Sequence, residues 1–100
     1  MPSGYVGILS AELHFPEAHS LKEKRTYVRS AKEQLRNRFG AAVAEVDHHD
    51  VWQRARLTAA VVTRDAAAAE RLLADAERYL ASREWELGLV ERELVTLGDD

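Results

Sequence analysis

Five cations recur along the stretch SLKEKRTYVRSAKEQLRNRF, from Ser20 to Phe39, at spacings of 3, 4, 3 and 4: Lys22, Arg25, Arg29, Lys32 and Arg36. At about 100° per residue this spacing lines them along one side of an α-helix. A row of guanidinium and ammonium groups suits a polyanion, since neutralising successive phosphates supplies affinity that does not depend on base sequence. Arginine adds a planar fork that meets an oxyanion with two hydrogen bonds. Within this stretch seven basic residues stand against two acidic ones, a net of +5 on a chain whose formal charge is −3, so the remainder carries −8. A positive field on an otherwise acidic body points to RNA or another polyanion, and to no reaction. The ordinary alternative is a solvated face, with aliphatic stems lying over apolar surface and Glu33 pairing with Arg29 or Arg36.

A second group of polar residues lies further on. Asp47, Trp52, Gln53, Arg54 and Arg56 form a candidate surface patch, and Glu12, His14, Glu45 and Asp47 are expected near Arg54 and Arg56 across neighbouring strands. Such cross-strand pairs on a wet surface contribute little each. Asp47-His48-His49-Asp50 is the cluster with metal-ligand chemistry, but adjacent residues of an extended chain point to opposite faces. No third ligand is placed by spacing, so the expectation is no metal and a loop held by an Asx-type hydrogen bond from Asp47 or Asp50. No serine sits in a nucleophile elbow and no carboxylate pair declares a cleft. No catalytic residue, no cofactor and no enzyme activity are therefore expected.

The elements that position these groups follow from periodicity. Tyr5 to Phe15 alternates as a long strand, with Tyr5, Leu9, Ala11, Leu13 and Phe15 on one face and Val6, Ile8, Ser10, Glu12 and His14 on the other. Ser20 followed by Glu23 predicts a capping box, and Gly40 a left-handed stop, so the charged helix spans 20–39 with Leu21, Val28, Ala31, Leu35 and Phe39 as its apolar stripe. The cations lie roughly 80° around the helix from that stripe. Ala42 to Asp47 and Arg54 to Thr63 predict a hairpin whose connection carries Trp52, expected to pack back onto the sheet. Asp65 caps a second helix to about Ser82, with Ala69, Leu72, Leu73, Ala76, Tyr79 and Leu80 inward. Trp85 to Leu97 predicts a last strand with a bulge at Gly88, while MPSG and Asp99-Asp100 read as frayed ends.

The order β-α-β-β-α-β, with right-handed crossovers, predicts an α+β ferredoxin-like split βαβ sandwich: a four-stranded antiparallel sheet with two helices on one face. The other face is left open. It carries no aromatic at the centres of its first and third strands, so base stacking on the sheet in the manner of RNA-recognition modules is not expected.

One hundred residues, 46% hydrophobic and without cysteine, describe one domain, 1–100, with no disulfide and no thiolate site. No apolar run approaches the roughly 20 residues of a membrane span, and the expected address is the cytoplasm.

The segments LHFPEAHSLKEKR, LRNRFG, VAEVDHHDVWQRARL and VVTRD, spread from Tyr5 to about Leu94, resemble the YlxP-like family of small bacterial proteins, a domain of unknown function. The matching positions are Ser20, Leu21, Lys22, Lys24 and Arg25, then Arg36 to Phe39, then Glu45, Asp47, Asp50, Trp52, Gln53 and Arg54; Gly40-Ala41 departs from the family's usual polar residue. The resemblance implies a ferredoxin-like domain. Genes of that family tend to lie beside those for transcription and translation factors, which implies a ribosome-associated or RNA-related role. The first expectation is thus a non-catalytic RNA-binding accessory factor using the helical stripe. The alternative is a protein-interaction or homodimerisation module using the open sheet face, including Ile8 and Val62, or an edge strand. A metal-dependent enzyme at His48 and His49 ranks third.

Overall fold

A computed structural model describes residues 2–98. Its elements run β1 (Gly4–His14), α1 (Leu21–Phe39), β2 (Ala42–Asp47), β3 (Arg54–Thr63), α2 (Ala66–Ala81) and β4 (Glu86–Leu97). The strands form one antiparallel sheet in the order β2-β3-β1-β4, the predicted ferredoxin-like arrangement.

Alternation decides which face is covered. Leu9, Ala11 and Leu13 of β1 and Ala55, Leu57, Ala59 and Val61 of β3 are buried under the helices, while Ile8, Ser10, Arg56 and Thr58 point the other way. Over this face α1 packs against β2 and β3, and α2 against β1, β3 and β4. Gly7 permits the second contact: a Cβ there would lie 3.1 Å from the Leu73 side chain and 3.3 Å from that of Val61.

Both helices begin and end where the sequence predicts. The Ser20 hydroxyl accepts from the Glu23 amide at 3.1 Å, and Asp65 Oδ1 from the Ala68 amide at 2.7 Å. Glu23, exposed, makes no return hydrogen bond among the described residues, so only half of the predicted capping box forms. Gly40 closes α1 at φ 66°, its amide donating to Arg36 O. In β4 two residues, Gly88 and Leu89, stand opposite Glu12 alone, which is the predicted bulge.

Several expectations need correction. The amino-terminal segment is tied down, since the Ser3 amide donates to Leu97 O and β1 starts at Gly4. The predicted Asp99-Asp100 tail lies outside the described residues. Trp85 precedes β4 and is 3% exposed, its indole N–H donating to Leu80 O. Trp52 does not pack back onto the sheet: it is 50% exposed. That end of the core is already filled by Phe15, stacked on Tyr27 at 5.5 Å and met edge-on by Trp85 at 6.2 Å.

The least expected core residue is Lys24, 1% exposed. It belongs to the 4, 3, 4 series Lys24, Val28, Ala31, Leu35 that α1 buries. Its Nζ donates to Glu45 Oε2 and His48 O, both at 2.7 Å, and to His49 O at 3.4 Å. Glu45 therefore faces the helix beside Leu57, and not the open sheet face as expected. A buried ammonium is tolerated only when its donors are satisfied, and removing one partner of such a pair costs far more than the intact pair is worth. Lys24→Ala is expected to lower the unfolding free energy by about 3 kcal/mol, read as a reduced urea midpoint with an unchanged denaturant slope. An unchanged midpoint would mean that Glu45 and the loop carbonyls are satisfied without it.

Candidate nucleic-acid interface

The geometry of α1 separates its cations into three kinds. Lys24 points into the fold. Arg38 reaches toward α2, its guanidinium 4.9 Å from the centre of the Tyr79 ring, a cation–π contact. The stripe lies on the side of the helix away from α2, where Arg36 donates to the β2 carbonyl of Val43 at 3.4 Å. Lys22, Arg25, Arg29 and Arg36 are exposed and Lys32 is partly exposed.

None of these five makes an ion pair among the described residues. Five other cations do: Lys24 with Glu45, Arg54 and Arg56 with Glu12, Arg78 with Asp75, and Arg92 with Glu77. The expected pairing of Glu33 with Arg29 or Arg36 is not among them. Among the described residues the side chains of Lys22, Arg25, Arg29 and Lys32 have no hydrogen-bond partner, and Arg36 has only its long bond to Val43 O. Over 14 residues at about 1.5 Å rise the stripe runs roughly 20 Å, beside β2, which has β3 on one side and a free edge on the other.

The second patch divides. Arg54 and Arg56 project from the open face and converge on Glu12, which is 7% exposed. Arg54 donates to Glu12 Oε1 at 2.6 and 3.0 Å, Arg56 to Oε2 at 3.3 Å, and His48 Nε2 stands 3.0 Å from Oε1. Arg56 also bonds Glu91. The ladder of opposite charges is real, but its central carboxylate is buried and not washed by solvent. Arg54 and Arg56 are consumed there, on the face opposite the helices, so they do not share a surface with the stripe.

Burial pushes the Glu12 carboxyl up, yet hydrogen bonds from Arg54 and Arg56 and the nearby charges of His48 and Arg54 outweigh it and hold the group below its ordinary 4.5.

The β2–β3 loop sits between the two surfaces. Asp47 Oδ1 accepts from the His48 amide at 2.8 Å, the expected side-chain brace, and His48 takes φ 66°. Gln53 Nε2 donates to Ala18 O at 3.4 Å and Gln53 O accepts from the Phe15 amide at 2.9 Å. These bonds seat the loop against the amino-terminal end of α1. His49 and Asp50 are exposed, and no group of three His, Asp or Glu side chains among the described residues is placed to hold a metal. No described helix is long and apolar enough to cross a membrane. Glu45 was expected on the open face and Lys24 was assigned to no face; their spacing from Val43 and Val28 was the signal available.

The depressed Glu12 carboxyl makes stability depend on acid. Because the unfolded chain takes up this proton at higher pH than the folded one, stability conferred by Glu12 is complete above about 4.5 and is lost as pH falls through the depressed folded value. Glu12→Gln is expected to cost about 1–3 kcal/mol at neutral pH and to flatten the fall in stability below pH ~4.5, measured by urea unfolding across acidic pH. An equally steep acid dependence in the variant would show that other carboxylates carry it.

The chain is 29% identical over 68 residues, 68% of its own length and 74% of the relative's, to "Uncharacterized protein YlxP" of Bacillus subtilis (strain 168). The family described as "Protein of unknown function (DUF503)" matches residues 6–93. That match takes in both helices, β2 and β3 whole, most of β1 and β4, the Lys24 buttress and the whole cationic stripe, and the chain belongs to the DUF503 family.

Proposed function

We propose that this chain is a non-catalytic RNA-binding accessory factor, associated with the ribosome, that lays Lys22, Arg25, Arg29, Lys32 and Arg36 of α1 along a phosphate backbone. The observation that carries this reading is that five cations stand in register along one side of α1 with no carboxylate among the described residues against any of them, whereas the other unpaired arginines, Arg38, Arg64, Arg71 and Arg83, form no such row. Among the described residues, carboxylates of the fold engage Lys24, Arg54, Arg56, Arg78 and Arg92 and none of the stripe. An acidic protein that keeps a row of five cations unpaired carries a self-repelling charge for which RNA is the natural counterpart. The stripe reads no base edges, so it supplies affinity and orientation and leaves sequence to other contacts.

Among the described residues Arg25, Arg29 and Arg36 make no ion pair, and of the three only Arg36 makes a hydrogen bond, a long one, so their removal leaves the core intact. The triple change to Ala is expected to abolish co-sedimentation with ribosomes while thermal unfolding stays within about 1 kcal/mol of the parent. Retained co-sedimentation in the folded variant would remove the stripe from the interface.

A second reading is favoured by one observation: Val62 on the open face is 78% exposed, with Val95 and Leu97 also exposed and Ile8 half-buried nearby. A second copy of the chain packed face to face would cover this patch. Light scattering is expected to report a dimer that Val62→Asp converts to a monomer if this reading holds; a monomer at all concentrations ends it. The two readings use opposite faces of the sheet and are separately testable.

A further inference from the structure

We infer that Trp52 is a stacking seat for an unpaired nucleobase, which makes the RNA partner single-stranded where it meets the amino-terminal end of α1. The inference rests on the RNA-binding reading of the stripe and specifies its substrate class. Of the chain's seven aromatic side chains, all within the described residues, Trp52 alone is exposed. Phe15, Tyr79 and Trp85 are buried, and Tyr5, Tyr27 and Phe39 are partly covered. An indole left half in water forgoes the burial that the other large side chains obtain.

The loop that presents it is braced on every side. Lys24 holds the carbonyls of His48 and His49 from below, the Val51 amide donates to His48 O at 3.1 Å, and Glu12 meets the His48 ring at 3.0 Å. Gln53 is tied at both its backbone carbonyl and its side chain to the Phe15–Ala18 segment. The backbone on both sides of Trp52 is therefore fixed before any ligand arrives, and less entropy is lost when a flat partner settles on the indole.

Charge selects the partner's uncharged part. Asp47 and Asp50, both exposed, stand on the loop and repel phosphate there. Lys22 and Arg25, exposed on the same first turns of α1 whose Lys24 meets this loop from within, attract it. A strand whose backbone follows α1 thus places phosphates on the helix and a base over the indole. Stacking of this kind accepts any base but requires that it be unpaired, because a duplex offers its faces to no side chain.

Emission from Trp52 tests the inference directly, since Trp85, 3% exposed, is a buried internal reference. Titration with a short oligouridylate is expected to quench the exposed tryptophan, with Trp52→Ala supplying the spectrum of Trp85 alone. Trp52→Ala is expected to weaken single-strand binding about 10- to 100-fold, Trp52→Phe to restore most of it, and duplex RNA of equal length to bind both proteins alike. Undiminished oligouridylate binding by Trp52→Ala, with binding lost in the Arg25, Arg29 and Arg36 triple variant, would overturn the base seat and leave the stripe standing. Absence of RNA binding by the parent would overturn both. A blue shift of Trp52 with protein concentration alone would mean that a second copy covers the indole, and would overturn the seat as well.

Discussion

The ammonium of Lys24 is the point on which the rest of the molecule turns. It joins α1, β2 through Glu45, and the β2–β3 loop through the carbonyls of His48 and His49. A charge placed there has no access to water, so its donors dictate where those acceptors stand. The same helix that contributes this buried cation presents five others outward. The proposed function rests on the contrast between this cation fixed inside the fold and the cations beside it that make no ion pair among the described residues.

That contrast was partly legible in the sequence. The 3, 4, 3, 4 spacing gave the outward stripe its register, and alternation placed Ala55, Leu57, Ala59 and Val61 under the helices, because both periods follow directly from backbone geometry. Ser20, Gly40 and Asp65 marked the helix ends, since each supplies a bond or a φ value that few residues can. Lys24 was left out of the buried stripe because residue type outweighed position: its spacing to Val28, Ala31 and Leu35 says buried, while its charge says exposed. Glu45 was misplaced for the same reason. Trp52 lay beyond periodic reasoning altogether, as a loop has no repeat, and the Phe15, Tyr27 and Trp85 cluster that excludes it from the core is assembled from three distant segments.

The sheet separates two chemistries. On its open face opposite charges are spent against one another around Glu12, next to an apolar end formed by Val62, Val95 and Leu97. Beyond the β2 edge, positive charge is kept uncompensated. Among the described residues Arg38, Arg64, Arg71 and Arg83 are also without an ion pair, but only the five of α1 stand in register along one helix side. The proposed polyanion interface rests on that row of five spared cations, and the proposed base seat on Trp52 would extend it past the end of the helix.

The central claim concerns phosphates, and counterion release measures phosphates directly. Affinity for single-stranded RNA should be followed by fluorescence anisotropy over a range of potassium chloride concentrations. Three to five contacts correspond to a slope of log K against log salt of about −2 to −3.5, reduced by roughly 0.7 for each stripe cation replaced by alanine. A slope that is flat, or that is unmoved when Arg25, Arg29 and Arg36 are replaced, would contradict the account.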